Sequence, residues 1–202
     1  MKAEFTKRVI AYIVDIVIVT ILAQLITGVI PTSERAKGSL ENLVDLTKQF
    51  TEKKISNSEY SSLVLNAQYN VSRETVIQEL ITIAVYIGYF VVLPFYKEGQ
   101  TIGKKIFGIK IKRKQNDKLT INSLLIRALI LYNIALNILS EILIVTLTKN
   151  SYLNANKVFG YVNIAVIMVT IFMMIINKDG RGLHDLASGT IVVSEEEKKW
   201  EI

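Results

Sequence analysis

Residues 9–30 read VIAYIVDIVIVTILAQLITGVI, 22 residues with one charge, Asp15. An α-helix rises about 1.5 Å per residue, so about 20 apolar residues cross roughly 30 Å of hydrocarbon. Lys2, Lys7 and Arg8 precede the run and give it the basic start of a signal peptide. Its apolar stretch exceeds the usual h-region of about 7–15 residues, and no small-residue cleavage site follows. It therefore reads as a retained membrane span.

Three further runs have the same character. Val76–Tyr96 has 21 residues with Glu79 close to its start. Ile121–Leu147 has 27 with Arg127 and Glu141, and Val158–Ile176 has 19 with no charge. All four are long enough to span, and the third can tilt or pass one interface. The fold class expected is an all-α membrane protein: a four-transmembrane-helix bundle, one domain over residues 1–202, with an outer helical loop and a small cytoplasmic β-element.

Composition agrees. The chain has 202 residues, 50% of them hydrophobic, with a mean hydropathy of +0.36. A soluble domain of this size needs a more polar surface. There is no cysteine and one histidine. Disulfide scaffolds, thiolate metal sites, cysteine catalysis and multi-histidine metal centres are thereby excluded. No cofactor and no metal are expected.

The net charge of +6 is unevenly placed. Residues 1–8 hold three basic residues, 97–120 hold eight, and the tail from Asn177 holds four. The segment 31–75 balances six basic against six acidic residues, and 148–157 holds two basic ones. The side richer in Lys and Arg is expected to be cytoplasmic, which puts both termini inside a cell membrane. The partners implied are anionic headgroups at the cytoplasmic face, with no nucleic acid.

The soluble pieces differ in periodicity. In 31–75, Leu40, Leu43, Val44 and Phe50 fall near helical spacing, as do Tyr60, Leu63, Val64 and Ala67, so one or two amphipathic helices are expected on the outer face. Gly99, Gly103 and Gly108 punctuate the inner segment. Ile109-Lys110-Ile111-Lys112 then alternates as a strand does, and Gly189-Thr190-Ile191-Val192-Val193 is a second strand for it to pair with. The lysines of the first strand would face lipid headgroups. The charged tail from Ser194 to Ile202 is expected to fray. Residues Gly99 to Lys105 have the look of a phosphate loop, but are one residue short and lack a hydroxyl after the lysine. His184-Asp185 has the look of a phosphohydrolase dipeptide without the further histidines such a site needs.

Charges inside spans point to the candidate site. One at mid-membrane costs about 2.5–3.5 kcal/mol on insertion scales, so it needs a partner or a role. Asp15 and Arg127 each lie six residues into their runs, at similar depth, and are expected to pair. Asn133, Asn137 and Glu141 recur every four residues and are expected to line one helical face, with Glu79, Asn163 and Gln24 able to join them. Such a stripe reads as a polar pathway or as interhelical glue.

These residues also resemble a known family. Arg8-Val-Ile-Ala-Tyr-Ile-Val-Asp15, the segment Gly99-Gln-Thr-Ile-Gly103-Lys104-Lys105-Ile-Phe-Gly108, Arg127, and Arg181-Gly-Leu-His184-Asp185 resemble, in order, the motifs of the RDD family of bacterial integral membrane proteins. The long segment 31–75 has no counterpart in that pattern. The resemblance implies a membrane-embedded fold. By their placement Arg8, Asp15, Arg127, His184 and Asp185 are expected to form one charge cluster at the cytoplasmic mouth, serving transport or only fastening the β-element to the bundle. The resemblance also implies transport, with cation–proton exchange as one form.

Two functions compete. The first is a small cation/proton transporter or transporter subunit using Asp15 and Glu141, a homo-oligomer enclosing the path. The second is a non-transporting scaffold or accessory subunit, with a membrane protein partner bound through the outer helices or the inner β-element. No enzyme is expected, because nothing pairs a nucleophile with a base.

Overall fold

The computed structural model describes residues 2–115 and 118–195. The end of the charged tail, 196–202, expected to fray, lies outside the described residues.

The first run becomes α1 (Phe5–Thr27). Its buried positions, Arg8, Ala11, Asp15, Val19 and Ala23, recur every three or four residues and form one stripe. Ile13, Val17 and Ile21 lie exposed on other faces, about half of each accessible. A soluble helix would hide them; here they form the face that hydrocarbon solvates.

Two helices follow, as the pattern over 31–75 implied. α2 (Glu34–Thr51) and α3 (Asn57–Glu74) start at Ser33 and Ser56, whose hydroxyls accept from the backbone N–H three residues on. They pack as a hairpin closed by the stacked rings of Phe50 and Tyr60, 4.4 Å between centroids. The hairpin meets the bundle where Tyr69 tilts against Tyr152, 5.5 Å away.

The second span runs through α4 (Val76–Ile87), a π-helical turn at Gly88–Val92 and α5 (Leu93–Tyr96). Pro94 has no N–H to continue the α ladder, and the wide turn precedes it. Its consequence is local: Tyr89, Phe90 and Val91 are all buried, although three consecutive residues of a regular helix fan over most of its circumference.

The sheet-forming residues come next. α6 (Ile102–Ile106) leads into β1 (Ile109–Arg113). β1 pairs antiparallel with β2 (Thr190–Ser194), Ile109 opposite Ser194 and Arg113 opposite Thr190. Ile109 and Ile111 turn to the core, while Lys110 and Lys112 turn away from it. The amino-terminal residues join this sheet, Lys2 bridging Val193 and Ala3 N–H donating to Val192 O.

The third run departs from expectation. It is not one straight span over 121–147 but α7 (Ile121–Leu131) and α8 (Ile134–Thr146), bent by 69°. Asn133 sits at the break in the left-handed conformation, φ 54°, which asparagine tolerates better than branched or bulky residues. So Asn133, Asn137 and Glu141 do not share one unbroken helical face; only the last two lie within α8.

The fourth span is longer than its apolar core suggested. α9 (Lys149–Ile176) has 28 residues and absorbs most of what read as a short outer loop over 148–157. That stretch contains neither proline nor glycine, so nothing in it stops the helix from extending. α10 (Leu183–Ser188) then turns back under the bundle. Among the described residues, three helices are long and apolar enough to cross a membrane, or four with the bent pair as one span. The molecule has a sheet end, where the strands, α6 and α10 gather, and a hairpin end.

Candidate charge cluster and the broken span

Two buried carboxylates organise the sheet end, and each is fully inaccessible. Asp185 sits in α10, which packs against α7 and α9. Arg8 Nη2 donates to its Oδ2 at 2.7 Å, Arg127 Nη1 donates to Oδ1, and Thr190 Oγ1 donates to Oδ1 at 3.2 Å. Gly182 N–H donates to Oδ2 at 3.3 Å, and His184 Nε2 lies 3.2 Å from the same oxygen. Arg181 ties the cluster to the strands through Thr190 O and Asp185 O, both at 2.9 Å. Burial alone would raise the Asp185 pKa, but Arg127, His184 and Arg8 outweigh it and hold the carboxyl well below its usual range. Burial, reinforced by Arg127, pushes His184 down to about 4, so its ring is neutral at pH 7.

Asp15 makes a second cluster. Tyr89 Oη donates to Oδ1 at 2.7 Å and Gly103 N–H to the same oxygen at 2.7 Å. Thr101 Oγ1 donates to Oδ2 at 2.5 Å and Lys104 Nζ at 3.2 Å. The ammonium is buried with it, which lowers the Lys104 pKa to about 8 against the pull of Asp15.

The expected Asp15–Arg127 pair does not form. Both groups lie at the sheet end, but α6 packs on α1 and gives Asp15 its lysine, while α10 packs on α7 and gives Arg127 its aspartate. Arg8, Arg127, His184 and Asp185 meet directly; Asp15 belongs to the neighbouring cluster.

The glycine motif explains α6. A Cβ on Gly103 would lie 2.5 Å from Ala11 O and 2.8 Å from Asp15 Oδ1. Only glycine lets the α6 backbone touch α1 and donate to the carboxylate. Gly99 has φ +87°, and its Cβ would lie 2.0 Å from Ile111 O. Gly108 turns the chain into β1 at φ +60°. Lys104, Tyr89 and Thr101 escaped the reading of the sequence. Lys104 was one of eight basic residues in its segment, and Tyr89 depends on the π-helical turn. The one available sign was Thr101 three residues before Lys104, the spacing of a helix cap.

The polar stripe rearranges as well. Asn133 Nδ2 donates to Asn163 Oδ1 at 2.5 Å, bridging the helix break to α9. Glu141 on α8 has one buried carboxylate oxygen without a hydrogen-bond partner, and α8 packs against α4, which carries Glu79. Gln24 is exposed and does not join them.

Two cavities meet at the break. One, of about 490 Å³, lies between α1, α7 and α9 and reaches Arg8, Lys104, Arg127 and His184. The other, of about 380 Å³, is lined by Glu79, Tyr86 and Asn137. Tyr12, Leu131, Tyr132, Asn133 and Ile167 line both. Tyr132 is held there between Phe90, stacked at 3.5 Å, and Tyr12, stacked at 5.8 Å.

A model of the RDD family matches residues 2–189. The chain belongs to the RDD family. The match runs from the first strand contact through α10 and takes in both buried carboxylates, so this RDD chain is an integral membrane protein with several spans. No curated protein and no solved structure matches it.

Proposed function

We propose that this RDD protein exchanges a cation for protons across the cell membrane, with the broken third span as the ion-handling element. The observation that carries this reading is the break itself. Tyr132 and Asn133, where the helix is interrupted, line both cavities. Non-helical backbone at membrane depth is tolerated where it lines a cavity, and transporters use such discontinuous helices to hold ions. Glu79 and Asn137 supply oxygen ligands in the smaller cavity beside it, and Glu141, further along α8, retains an unpartnered carboxylate oxygen. Asp15, with four donors, fastens α6 to α1 in this reading. Only Tyr152 and Thr170 are buried along the 28 residues of α9, and packing this sparse favours a homo-oligomer to close the path.

The same reading puts the sheet end, with both termini, in the cytoplasm, because residues 1–8 and 97–120 carry the concentrated positive charge. It includes no enzymatic step: the Ser188 hydroxyl donates to the His184 carbonyl oxygen at 2.6 Å and not to its imidazole.

Reconstitution of the full chain into vesicles with a trapped pH dye tests the proposal. A Na⁺ or K⁺ gradient is expected to drive proton flux, reduced about tenfold or more by Glu79→Gln and Glu141→Gln. Flux absent from the natural chain, or unchanged in the double variant, overturns it. The alternative of a non-transporting scaffold draws on the α2–α3 hairpin, where Leu40 is 45% and Val44 72% exposed. A mild-detergent pull-down recovering only the protein itself counts against that alternative.

A further inference from the structure

The larger cavity has a cationic end that the exchange reading does not use. Its charged lining, Arg8, Lys104 and Arg127, gathers with His184 at the sheet end, and most of the remaining lining is apolar. On α7 Arg127 precedes Ile130 and Leu131, while on α1 Phe5 and Val9 flank Arg8 and on α9 Ile167 and Ile171 flank Thr170. Val9, Ile167 and Ile171 line it and are each more than a third exposed, so the cavity opens sideways onto the surface that meets hydrocarbon.

Its polar end carries excess positive charge. Arg8, Lys104 and Arg127 line it, and the carboxylates that pair with them are two, Asp15 and Asp185. Arg181, buried beside Asp185, adds another positive charge. Two groups there have unused bonding capacity: Arg127 Nε, on a residue 4% exposed, and His184 Nδ1, on a residue 2% exposed. One is a charged donor. The other, on a neutral ring whose Nε2 faces Asp185, is an acceptor.

We propose that this cavity holds one phospholipid drawn from the surrounding bilayer, with an anionic, hydroxyl-bearing headgroup of the phosphatidylglycerol type. The phosphate sits against Arg127 and its neighbouring cations, a headgroup hydroxyl donates to His184 Nδ1, and an acyl chain follows Ile130, Val166 and Ile167 towards the helix break. Basic pockets between membrane helices recognise anionic headgroups by these means. The lipid would fill the gap between α9 and the helices it otherwise barely touches. The proposal is independent of the exchange reading, since a structural lipid needs no transport.

Native mass spectrometry and thermal stability of the full chain in detergent test it. Phosphatidylglycerol is expected to bind about tenfold more tightly than phosphatidylcholine of the same chains and to raise the unfolding temperature. Val166→Trp, which fills the apolar end and leaves every charge in place, is expected to abolish that preference. Equal binding of the two lipids by the natural chain overturns the proposal, whatever the variant does. Inorganic phosphate giving the same stabilisation also overturns it, because the site would then be one for a free anion.

Discussion

At the scale of single residues, His184 shows how burial decides chemistry. It is the chain's one histidine, and its neutral ring is held beside a carboxylate and two guanidiniums. Its pKa in the folded chain, about 4, lies below the ordinary 6.5. The unfolded chain therefore binds more protons between those values, and stability must fall as pH drops through them. The folded chain is expected to lose on the order of 3 kcal/mol from this residue between pH 6.5 and 4. Unfolding temperatures measured in detergent across that window should flatten in His184→Gln relative to the natural chain. Asp185 acts lower on the pH scale, because its pKa is held beneath the ordinary carboxylate range. An equal slope in chain and variant would mean that the ring is charged in the folded state.

At the scale of elements, α6 is five residues held by one glycine and one aspartate. Gly103→Ala puts a methyl against backbone at Ala11 O, which cannot rotate away. The expected cost is about 1–3 kcal/mol, the range for overpacking, and it should appear as a lowered unfolding temperature. Gly88→Ala meets nothing within 4 Å and serves as the control. This contact also marks the limit of what the sequence discloses. The spans were legible because hydrocarbon demands length and apolarity, and β1 was legible because Ile109 and Ile111 alternate with lysines. The carboxylate partners were not. Depth along a helix follows from counting residues, but which neighbour a side chain faces depends on how the helices are rotated and stacked. Asp15 and Arg127 share a depth and still choose different partners. The break at Asn133 was hidden for a related reason: Leu131-Tyr132-Asn133-Ile134 has no proline or glycine to announce it. The π-helical turn that brings Tyr89 to Asp15 has Pro94 as its nearest trace.

At the scale of the whole molecule, the two ends differ in charge as well as in build. The sheet end carries Lys110 and Lys112, and the hairpin end carries α2 and α3. The chain has no cysteine, so a single introduced one is a unique label. Lys48→Cys on α2 and Lys112→Cys on β1 replace exposed residues. In intact cells a membrane-impermeant maleimide is expected to label the first and to reach the second only after permeabilisation. The reverse pattern would invert the orientation and put the cationic end of the larger cavity in the outer leaflet.

The closure of the sheet end has a consequence for biosynthesis. Ala3 pairs with Val192, and Arg8 and Arg127 both converge on Asp185, which lies 177 and 58 residues further along the chain. A ribosome makes both arginines before it makes the aspartate. The early helices must therefore enter the bilayer with their guanidiniums at headgroup level, solvated by water and phosphate. They give up that solvation when α10 arrives. The counter-charge that lets the first helix settle is thus delivered only after all the spans have been made. The last short helix is the clasp that closes the bundle.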